Sequence, residues 1–156
     1  MDLLEFALLS DLEDFHQKGI RLRVIGRREK LRPSIIEGIE RAEAKTKDNT
    51  NMTLVIAINY GGRAEIVDAC KRLVGQGVNV EMIDEERLTS AMYWPEMPAP
   101  DLIIRTSGEE RLSGFLLWEA AYSELCWCKK HWPDFLETDL DVALEEYTSR
   151  QRRYGK

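Results

Sequence analysis

The chain has 156 residues, a length typical of one domain with a single hydrophobic core. Hydrophobic residues make up 44% and charged residues 32%, which excludes an intrinsically disordered composition. The formal net charge is −6, so we expect no general nucleic-acid binding, because nucleic-acid-binding domains are usually basic. A local anion site is still compatible with this charge, since such a site needs only a few arginines.

The predicted elements alternate between helices and strands. Apolar residues recur at helical spacing in the first segment, and Gly19 is a good residue to end that helix. We predict helices at 3–18, from Pro33 onward, at 63–74, 84–92, 115–122 and 139–153, and strands at 20–25, 52–58 and 102–104.

The apolar run 52–58 is nearly continuous and rich in β-branched residues, which predicts a central parallel strand covered on both faces. The alternation as a whole predicts an α/β fold with a mainly parallel β-sheet flanked by helices. Because no linker interrupts the chain, residues 1–156 are predicted to form a single domain.

The segment 105–113, here called the arginine loop, follows the predicted strand 102–104. Ligands in open parallel sheets bind beyond the carboxyl ends of the strands. The loop contains Arg105 and Arg111, the flexible Gly108, and the hydroxyl of Ser113 near the start of a predicted helix. Two guanidinium groups and a helix start suit a phosphate or a diphosphate.

The alternative, given equal weight, is that Arg105 and Arg111 pair with Glu109 and Glu110 in a solvated turn. Glu119 and Glu124, which fall within or beside the predicted helix 115–122, are read as surface glutamates. A carboxylate near a diphosphate would suit Mg²⁺, which takes oxygen ligands and substrate phosphates.

The three cysteines, Cys70, Cys126 and Cys128, have no disulfide framework and are read as reduced thiols of a cytoplasmic protein. Cys126 and Cys128 with His131 lack a standard zinc spacing and a fourth ligand. Trp118, Trp127 and Trp132 are read as core and interface aromatics. The basic run 150–156 is either a set of cations at a helix end or a tail that completes an anion site in a partner subunit.

Several motifs in order closely resemble the cis-prenyltransferases, the isoprenyl transferases typified by undecaprenyl diphosphate synthase. The most specific are Asp-Leu-Ile-Ile-Arg-Thr-Ser-Gly-Glu followed by Arg-Leu-Ser at 101–113, and Trp-Pro-Asp-Phe at 132–135. Matching segments also occur at 20–26, 59–63, 115–118, 122–125 and 152–155, so that the resemblance covers essentially the whole chain.

The resemblance implies a role for each matching residue. It implies that Arg105, Arg111 and Ser113 hold the diphosphate of isopentenyl diphosphate, and that Glu124 helps to hold Mg²⁺ there. Gly114 replaces the usual Asn or Asp, which we expect to weaken local contacts.

The resemblance also implies a homodimer and a hydrophobic tunnel. In the family, an Arg-x-Gly element matching Arg153 and Gly155 reaches the active site across the dimer interface. The positions matching the tunnel that holds the growing polyprenyl chain are Leu4, Leu8 and Met52, although any core would show the same periodicity.

The implied reaction condenses isopentenyl diphosphate with an allylic diphosphate, such as farnesyl diphosphate, into a cis-polyprenyl diphosphate. The family's Asp-Gly-Asn-Gly-Arg-Trp motif, whose Asp is central to catalysis, does not occur in the 156 residues, and neither does its Ser-x-x-Glu-Asn motif. No catalytic residue is therefore assigned. We expect an N-terminally truncated chain that binds the isopentenyl diphosphate side only and is weak or inactive alone.

Two other functions stay open at this point. The chain could be a non-catalytic partner subunit that contributes the Arg-x-Gly element, or an unrelated α/β phosphate-binding module. Peripheral membrane association for product release is a further expectation from the resemblance.

Overall fold

The computed structural model describes residues 11–150, and the chain divides into two compact units, Met1–Tyr60 and Gly61–Lys156. Each unit contains a pair of parallel strands with its own helices. The mainly parallel α/β architecture predicted from the sequence is therefore confirmed. The single domain over residues 1–156 stays a prediction.

In the first unit, helix α1 (Leu12–Gln17) leads into strand β1 (Ile20–Ile25), and helix α2 (Pro33–Thr46) leads into strand β2 (Met52–Ala57). Strands β1 and β2 pair in parallel, with Ile20 beside Met52 and Ile25 beside Ala57. Pro33 occupies the first turn of α2, as predicted. Leu22, Ile35 and Ile39 are buried where α2 packs on the sheet.

Side chains of α2 cap the outer edge of β1. The backbone N–H of Leu22 donates to Thr46 Oγ1 at 2.9 Å, and the N–H of Val24 donates to Glu43 Oε1 at 2.9 Å. Arg28 Nη2 holds the other carboxylate oxygen of Glu43 at 2.8 Å. These contacts satisfy backbone donors that an edge strand would otherwise leave unpaired.

Strand β2 is not covered on both faces, which corrects the prediction for this segment. Leu54 and Ile56 pack towards the core formed with α2, but Met52 is 52% exposed, and Thr53 and Ala57 are also exposed. An apolar run of this length cannot by itself distinguish a strand buried on both faces from one buried on a single face.

In the second unit, helix α3 (Gly62–Gly75) is followed by helix α4 (Glu85–Ser90), strand β3 (Leu102–Arg105), strand β4 (Glu124–Trp127) and helix α5 (Glu137–Ser149). Short 3-10 helices lie at Val80–Met82, Glu119–Tyr122 and Trp132–Asp134. Strands β3 and β4 are parallel, with Leu102 beside Glu124 and Arg105 beside Trp127.

Ala69, Leu73, Ala91 and Met92 form the core beside α3 and α4, with Trp118 packed against it. Two apolar residues of α3, Val67 and Cys70, are exposed. The buried face instead follows Gly62, Glu65, Ala69 and Leu73, in which small residues allow close packing. Large apolar side chains therefore mark the buried face of this helix only in part, since Leu73 is buried and Ile66 packs against the core, whereas Val67 and Cys70 are exposed.

Segment 115–122 is not the predicted helix. Leu116 has a φ of 44°, which breaks a right-handed helix, and only Glu119–Tyr122 forms a 3-10 turn. Glu124 then opens strand β4, which the sequence did not predict. Trp132, read as a core or interface aromatic, is 72% exposed.

The limits of the other helices differ by a few residues from the prediction. The first helix is described only over Leu12–Gln17, and Gly19 follows its end as predicted. Helix α5 ends at Ser149 because Arg150 is extended. Within residues 11–150, no helix combines the length and the apolar character needed to cross a membrane.

Candidate anion-binding site

The arginine loop leaves the carboxyl end of β3 and is fastened to the segment that follows β4. The N–H of Ser107 donates to the carbonyl of Lys130 at 2.7 Å, and that of Gly108 donates to the carbonyl of Cys128 at 2.9 Å. The N–H of Cys128 donates in turn to the carbonyl of Arg105 at 2.8 Å. The loop therefore begins from a fixed position on the sheet.

Arg105 and Ser113 lie together, as the sequence predicted. Arg105 Nη1 donates to Ser113 Oγ at 2.8 Å and also to the backbone carbonyl of Arg111. Both contacts use Nη1, so that Nη2 and Nε have no hydrogen-bond acceptor within the described part of the chain. The guanidinium is thus oriented by the loop while part of its donor edge is left for an anion.

Arg111 forms an ion pair with Glu109. The alternative in which the arginines of the loop pair with its glutamates therefore holds for Arg111 but not for Arg105. The side chains of Arg111 and Glu109 are 64% and 40% exposed. An exposed pair of this kind stabilises a protein by about 0–1 kcal/mol. A diphosphate could therefore displace Glu109 from Arg111 at little cost.

The end of the arginine loop packs against the start of α3. The N–H of Gly62 donates to the carbonyl of Gly114 at 2.7 Å. A Cβ on Gly62 would lie 2.9 Å from that carbonyl oxygen and 2.9 Å from Leu117 Cγ, so only glycine allows this approach. Gly114 has a φ of 84°, which glycine adopts without strain. The hydrogen bond that it accepts from Gly62 uses its backbone carbonyl, which every residue has.

Glu124 is not brought to the arginine loop within one chain. It begins β4 beside Leu102, whereas Arg105 ends β3, three residues further along the sheet. At a rise of about 3.3 Å per residue, that separates their backbones by roughly 10 Å. The carboxylate of Glu124 instead accepts a hydrogen bond from Arg150 Nη1 at 2.7 Å, and both side chains are 29% exposed.

These contacts form a network between β4 and the end of α5. Arg150 Nη2 also pairs with Glu146, whose other oxygen contacts Cys126 Sγ at 3.6 Å. Burial raises the pKa of the Cys126 thiol, and its contact with Glu146 adds to the rise. The raised pKa favours the protonated thiol at Cys126.

Magnesium does not fit Glu124 as the residue is placed in this chain. A cation there would have to displace the Arg150 guanidinium, and it would lie at the opposite end of the strand pair from Arg105. Over residues 11–150, no three His, Cys, Asp or Glu side chains are grouped as a metal site would require. Cys126, Cys128 and His131, which are among these residues, therefore do not form such a group either.

Five predicted site residues remain. Leu4, Leu8, Arg153 and Gly155 lie outside the described residues. Met52 is placed at the start of β2 in the first unit.

Sequence reasoning missed two features of the second unit. The carbonyls of Cys128 and Lys130 hold the loop, and backbone acceptors leave no signal in the sequence. Glu119 was read as a surface glutamate, but it is half-buried and its Oε2 is fully enclosed without a hydrogen-bond partner among the described residues. Its place beside Trp118 and Ala120, both apolar, was the available signal.

The fold and the arginine loop together define an α/β protein with an oriented guanidinium at the carboxyl end of a parallel strand. Comparison with known proteins gives the family. The family model described as putative undecaprenyl diphosphate synthase matches residues 1–155. The chain belongs to this prenyltransferase family, which is the family that its motifs predicted.

Two relatives illustrate the similarity in sequence. An isoprenyl transferase of Thermotoga maritima is 46% identical over 99% of this chain and 67% of its own length. Isoprenyl transferase 2 of Corynebacterium efficiens is 47% identical over 92% of this chain and 60% of its own length. The chain thus spans roughly three fifths to two thirds of the curated relatives it matches.

Solved structures agree with the fold. Lavandulyl diphosphate synthase from Lavandula x intermedia, in complex with dimethylallyl diphosphate, superposes with a TM-score of 0.93 at 33% identity over 99% of this chain and 69% of that one. A probable undecaprenyl diphosphate synthase from Campylobacter jejuni gives a TM-score of 0.89 at 33% identity, covering 99% of this chain and 72% of that one. The prediction of a cis-prenyltransferase-like fold is confirmed.

Proposed function

We propose that this chain carries the isopentenyl diphosphate side of an isoprenyl transferase that makes a cis-polyprenyl diphosphate of the undecaprenyl type. The observation that carries the proposal is the hydrogen bond of 2.8 Å from Arg105 to Ser113, which orients the guanidinium at the end of β3. Family membership supports the reaction class. Arg105, Arg111 and Ser113 bind the diphosphate in this proposal.

The reaction forms one carbon–carbon bond. The allylic diphosphate loses inorganic diphosphate as its C–O bond breaks, and the double bond of isopentenyl diphosphate attacks that carbon. A proton then leaves and a cis double bond forms. The residues of the arginine loop hold the diphosphate that stays on the nucleophile, so they act by binding and orienting it.

Replacement of Glu109 by a diphosphate as the partner of Arg111 is energetically favourable. Glu109 offers an exposed ion pair worth about 0–1 kcal/mol, whereas a hydrogen bond between charged groups contributes about 1.5–3 kcal/mol. A diphosphate that bridges Arg105 and Arg111 would also replace one carboxylate charge by more than one phosphate charge. Binding therefore moves Glu109 away from Arg111.

The allylic diphosphate, farnesyl diphosphate being one example, and Mg²⁺ belong to the proposed complete enzyme. Because Glu124 is paired with Arg150, no step at the arginine loop is assigned to a metal ion. Without the Asp-Gly-Asn-Gly-Arg-Trp motif in its sequence, the chain alone is proposed to be weak or inactive in turnover. Peripheral association with membranes during product release is part of the same proposal.

We propose that two copies of the chain form a homodimer. Leu136, Leu140 and Leu144 recur every four residues at the start and along one face of α5, and they are 60%, 40% and 44% exposed. A continuous apolar stripe on a helix is a typical protein interface. In the alternative function, the chain is a non-catalytic subunit that contributes Arg153 and Gly155 to the active site of another chain. That assembly would also need an apolar interface such as this stripe.

Calorimetric titration with isopentenyl diphosphate tests the site. Arg105→Ala is expected to weaken binding by about tenfold or more, because it removes a charge-assisted donor. The matched control is Arg41→Ala, which removes an exposed arginine of α2 and should leave the affinity unchanged. Equal affinities for the wild type and Arg105→Ala would refute the proposed site.

A further inference from the structure

Two glutamates of the second unit have carboxylate oxygens in buried surroundings. Glu65, in the first turn of α3, is 2% exposed, and its Oε1 accepts a hydrogen bond from the N–H of Tyr93 at 2.9 Å. Glu119 lies in the 3-10 turn before β4, and its enclosed Oε2 has no hydrogen-bond partner in the described part of the chain. Neither carboxylate belongs to the anion site described above.

The nearby cation is committed elsewhere. Arg72 of α3 donates to the carbonyls of Ala91 and Met92 at 2.8 and 2.9 Å, and its guanidinium lies 5.1 Å from the ring centre of Tyr93. The hydroxyl of Tyr93 donates to Asp68 at 2.6 Å. The region around Glu65 therefore contains a further acidic residue, Asp68. Its cation, Arg72, already donates its hydrogen bonds to backbone carbonyls.

A second negative charge is unfavourable in this region. Burial raises the pKa of Glu119, a hydrogen bond from its own backbone N–H partly opposes the rise, and the charge of Glu65 adds a smaller increase. An ionised Glu119 would leave an enclosed carboxylate oxygen without a donor, whereas a protonated Glu119 carries its own donor. The folded surroundings thus shift Glu119 towards its neutral form.

The segment that contains Glu119 also contains the end of the arginine loop. Gly114 accepts a hydrogen bond from Gly62, Leu117 packs on Gly62, and Trp118 Nε1 donates to Thr89 Oγ1 at 3.0 Å. Residues 114–118 are therefore held by contacts with the start of α3 and with α4. This short stretch of chain connects Ser113 to Glu119.

We propose that the protonated form of Glu119 is a positioning group, which holds residues 113–119 against α3 beside Glu65 and so keeps Ser113 against Arg105. Ionisation of Glu119 loosens this segment and weakens anion binding at the arginine loop. The effect on anion binding rests on the proposed function. The effect on stability does not.

Thermal unfolding as a function of pH tests the ionisation. A group whose pKa is raised by folding contributes stability at low pH, and this stability is lost as the pH rises through the raised pKa. We expect Glu119→Gln, a near-isostere that cannot ionise, to match the wild type at about pH 3.5, below the ordinary pKa of a glutamate, and to unfold at a higher temperature than the wild type at about pH 8. Glu81→Gln, which removes an exposed carboxylate of the same unit, should run parallel to the wild type throughout.

A constant difference between the wild type and Glu119→Gln across this range would overturn the proposal. Carbon-13 NMR of the glutamate carboxyl groups is a second measurement, and it is made on the wild-type chain, so it does not depend on whether a variant folds. The Glu119 carboxyl in the wild-type chain should titrate at a higher pH than the exposed glutamates. Titration together with the exposed glutamates would contradict the proposal.

Binding of inorganic pyrophosphate tests the positioning role separately. The affinity of the wild type relative to Glu119→Gln should fall as the pH rises, and Glu119→Ala should bind more weakly than Glu119→Gln at every pH. An unchanged ratio between the wild type and Glu119→Gln would refute positioning. If no variant binds pyrophosphate at any pH, the proposed function and the positioning role fail, while the unfolding and NMR results still decide whether Glu119 is held as a neutral acid.

Discussion

Arg105 is oriented before any ligand arrives, because Ser113 Oγ and the carbonyl of Arg111 both accept hydrogen bonds from its Nη1. A flexible arginine loses side-chain entropy when it binds a ligand, and part of that cost is already met here by folding. Arg111, by contrast, lies on the surface in an ion pair with Glu109. The two arginines of one loop thus differ in how much binding must rearrange them.

Glu124 gives a test of whether the diphosphate site needs this carboxylate. Because Glu124 begins β4 and is paired with Arg150, we expect Glu124→Gln to change the affinity for pyrophosphate by less than about twofold, with or without Mg²⁺. Calorimetry on the wild type and the variant measures this. A Mg²⁺-dependent loss similar to that of Arg105→Ala would show that Glu124 serves the diphosphate, as the resemblance implies.

The roles of single residues were predictable only in part. The sequence places Arg105 and Ser113 in one loop, so that their proximity, although not their hydrogen bond, could be anticipated. The pairing of Glu124 with Arg150 could not, because it depends on the register of β4 beside β3 and on where α5 ends.

At the scale of elements, the contact between β1 and α2 depends on Thr46. Its Oγ1 accepts from the N–H of Leu22 at 2.9 Å and donates to the carbonyl of Ala42 at 2.8 Å, and the residue is fully buried. Thr46→Val keeps the shape but leaves the N–H of Leu22 without an acceptor. We expect the free energy of unfolding to fall by about 1–3 kcal/mol in denaturant titration.

Thr50→Val is the control for this change, because Thr50 is exposed in the loop before β2. Its expected effect is within about 0.5 kcal/mol. If both variants are equally stable, the edge of β1 does not depend on Thr46.

The elements that the sequence predicted well have long periodic patterns or clear end signals. Helix α2 begins at Pro33, as predicted, and Asp84, the first residue of the predicted helix 84–92, caps α4 by accepting from the N–H of Arg87 at 2.8 Å. Strand β4 was missed because four residues that include a glutamate and a cysteine give no period-2 signal, and the preceding apolar run resembles a helix. The left-handed backbone of Leu116 is a tertiary effect that no propensity predicts.

At the scale of the whole molecule, the alternation of strands and helices was sufficient to predict a parallel α/β fold, and the ordered motifs were sufficient to predict the family. Neither could predict the exposed stripe on α5, because the pattern of leucines is the same whether a helix packs on its own core or on another chain.

The stripe on α5 leads to a prediction about assembly. We expect the chain to be a dimer in light scattering after size-exclusion chromatography, and Leu140→Glu with Leu144→Glu to give a monomer, because charges on an apolar interface oppose its burial. Val80→Glu, at a residue that is 74% exposed on the same unit, is the control and should stay dimeric. A monomeric wild type at micromolar concentration would contradict the homodimer.

Amide NMR during titration with isopentenyl diphosphate tests the central claim most directly, because it locates the site in the wild-type chain. The diphosphate should shift the amide signals of residues 106–114 and the Nε–H signals of Arg105 and Arg111, with the largest changes at Ser107, Gly108 and Ser113. Shifts confined to other parts of the chain, or saturation of binding without change in the arginine loop, would contradict the assignment of this loop as the diphosphate site.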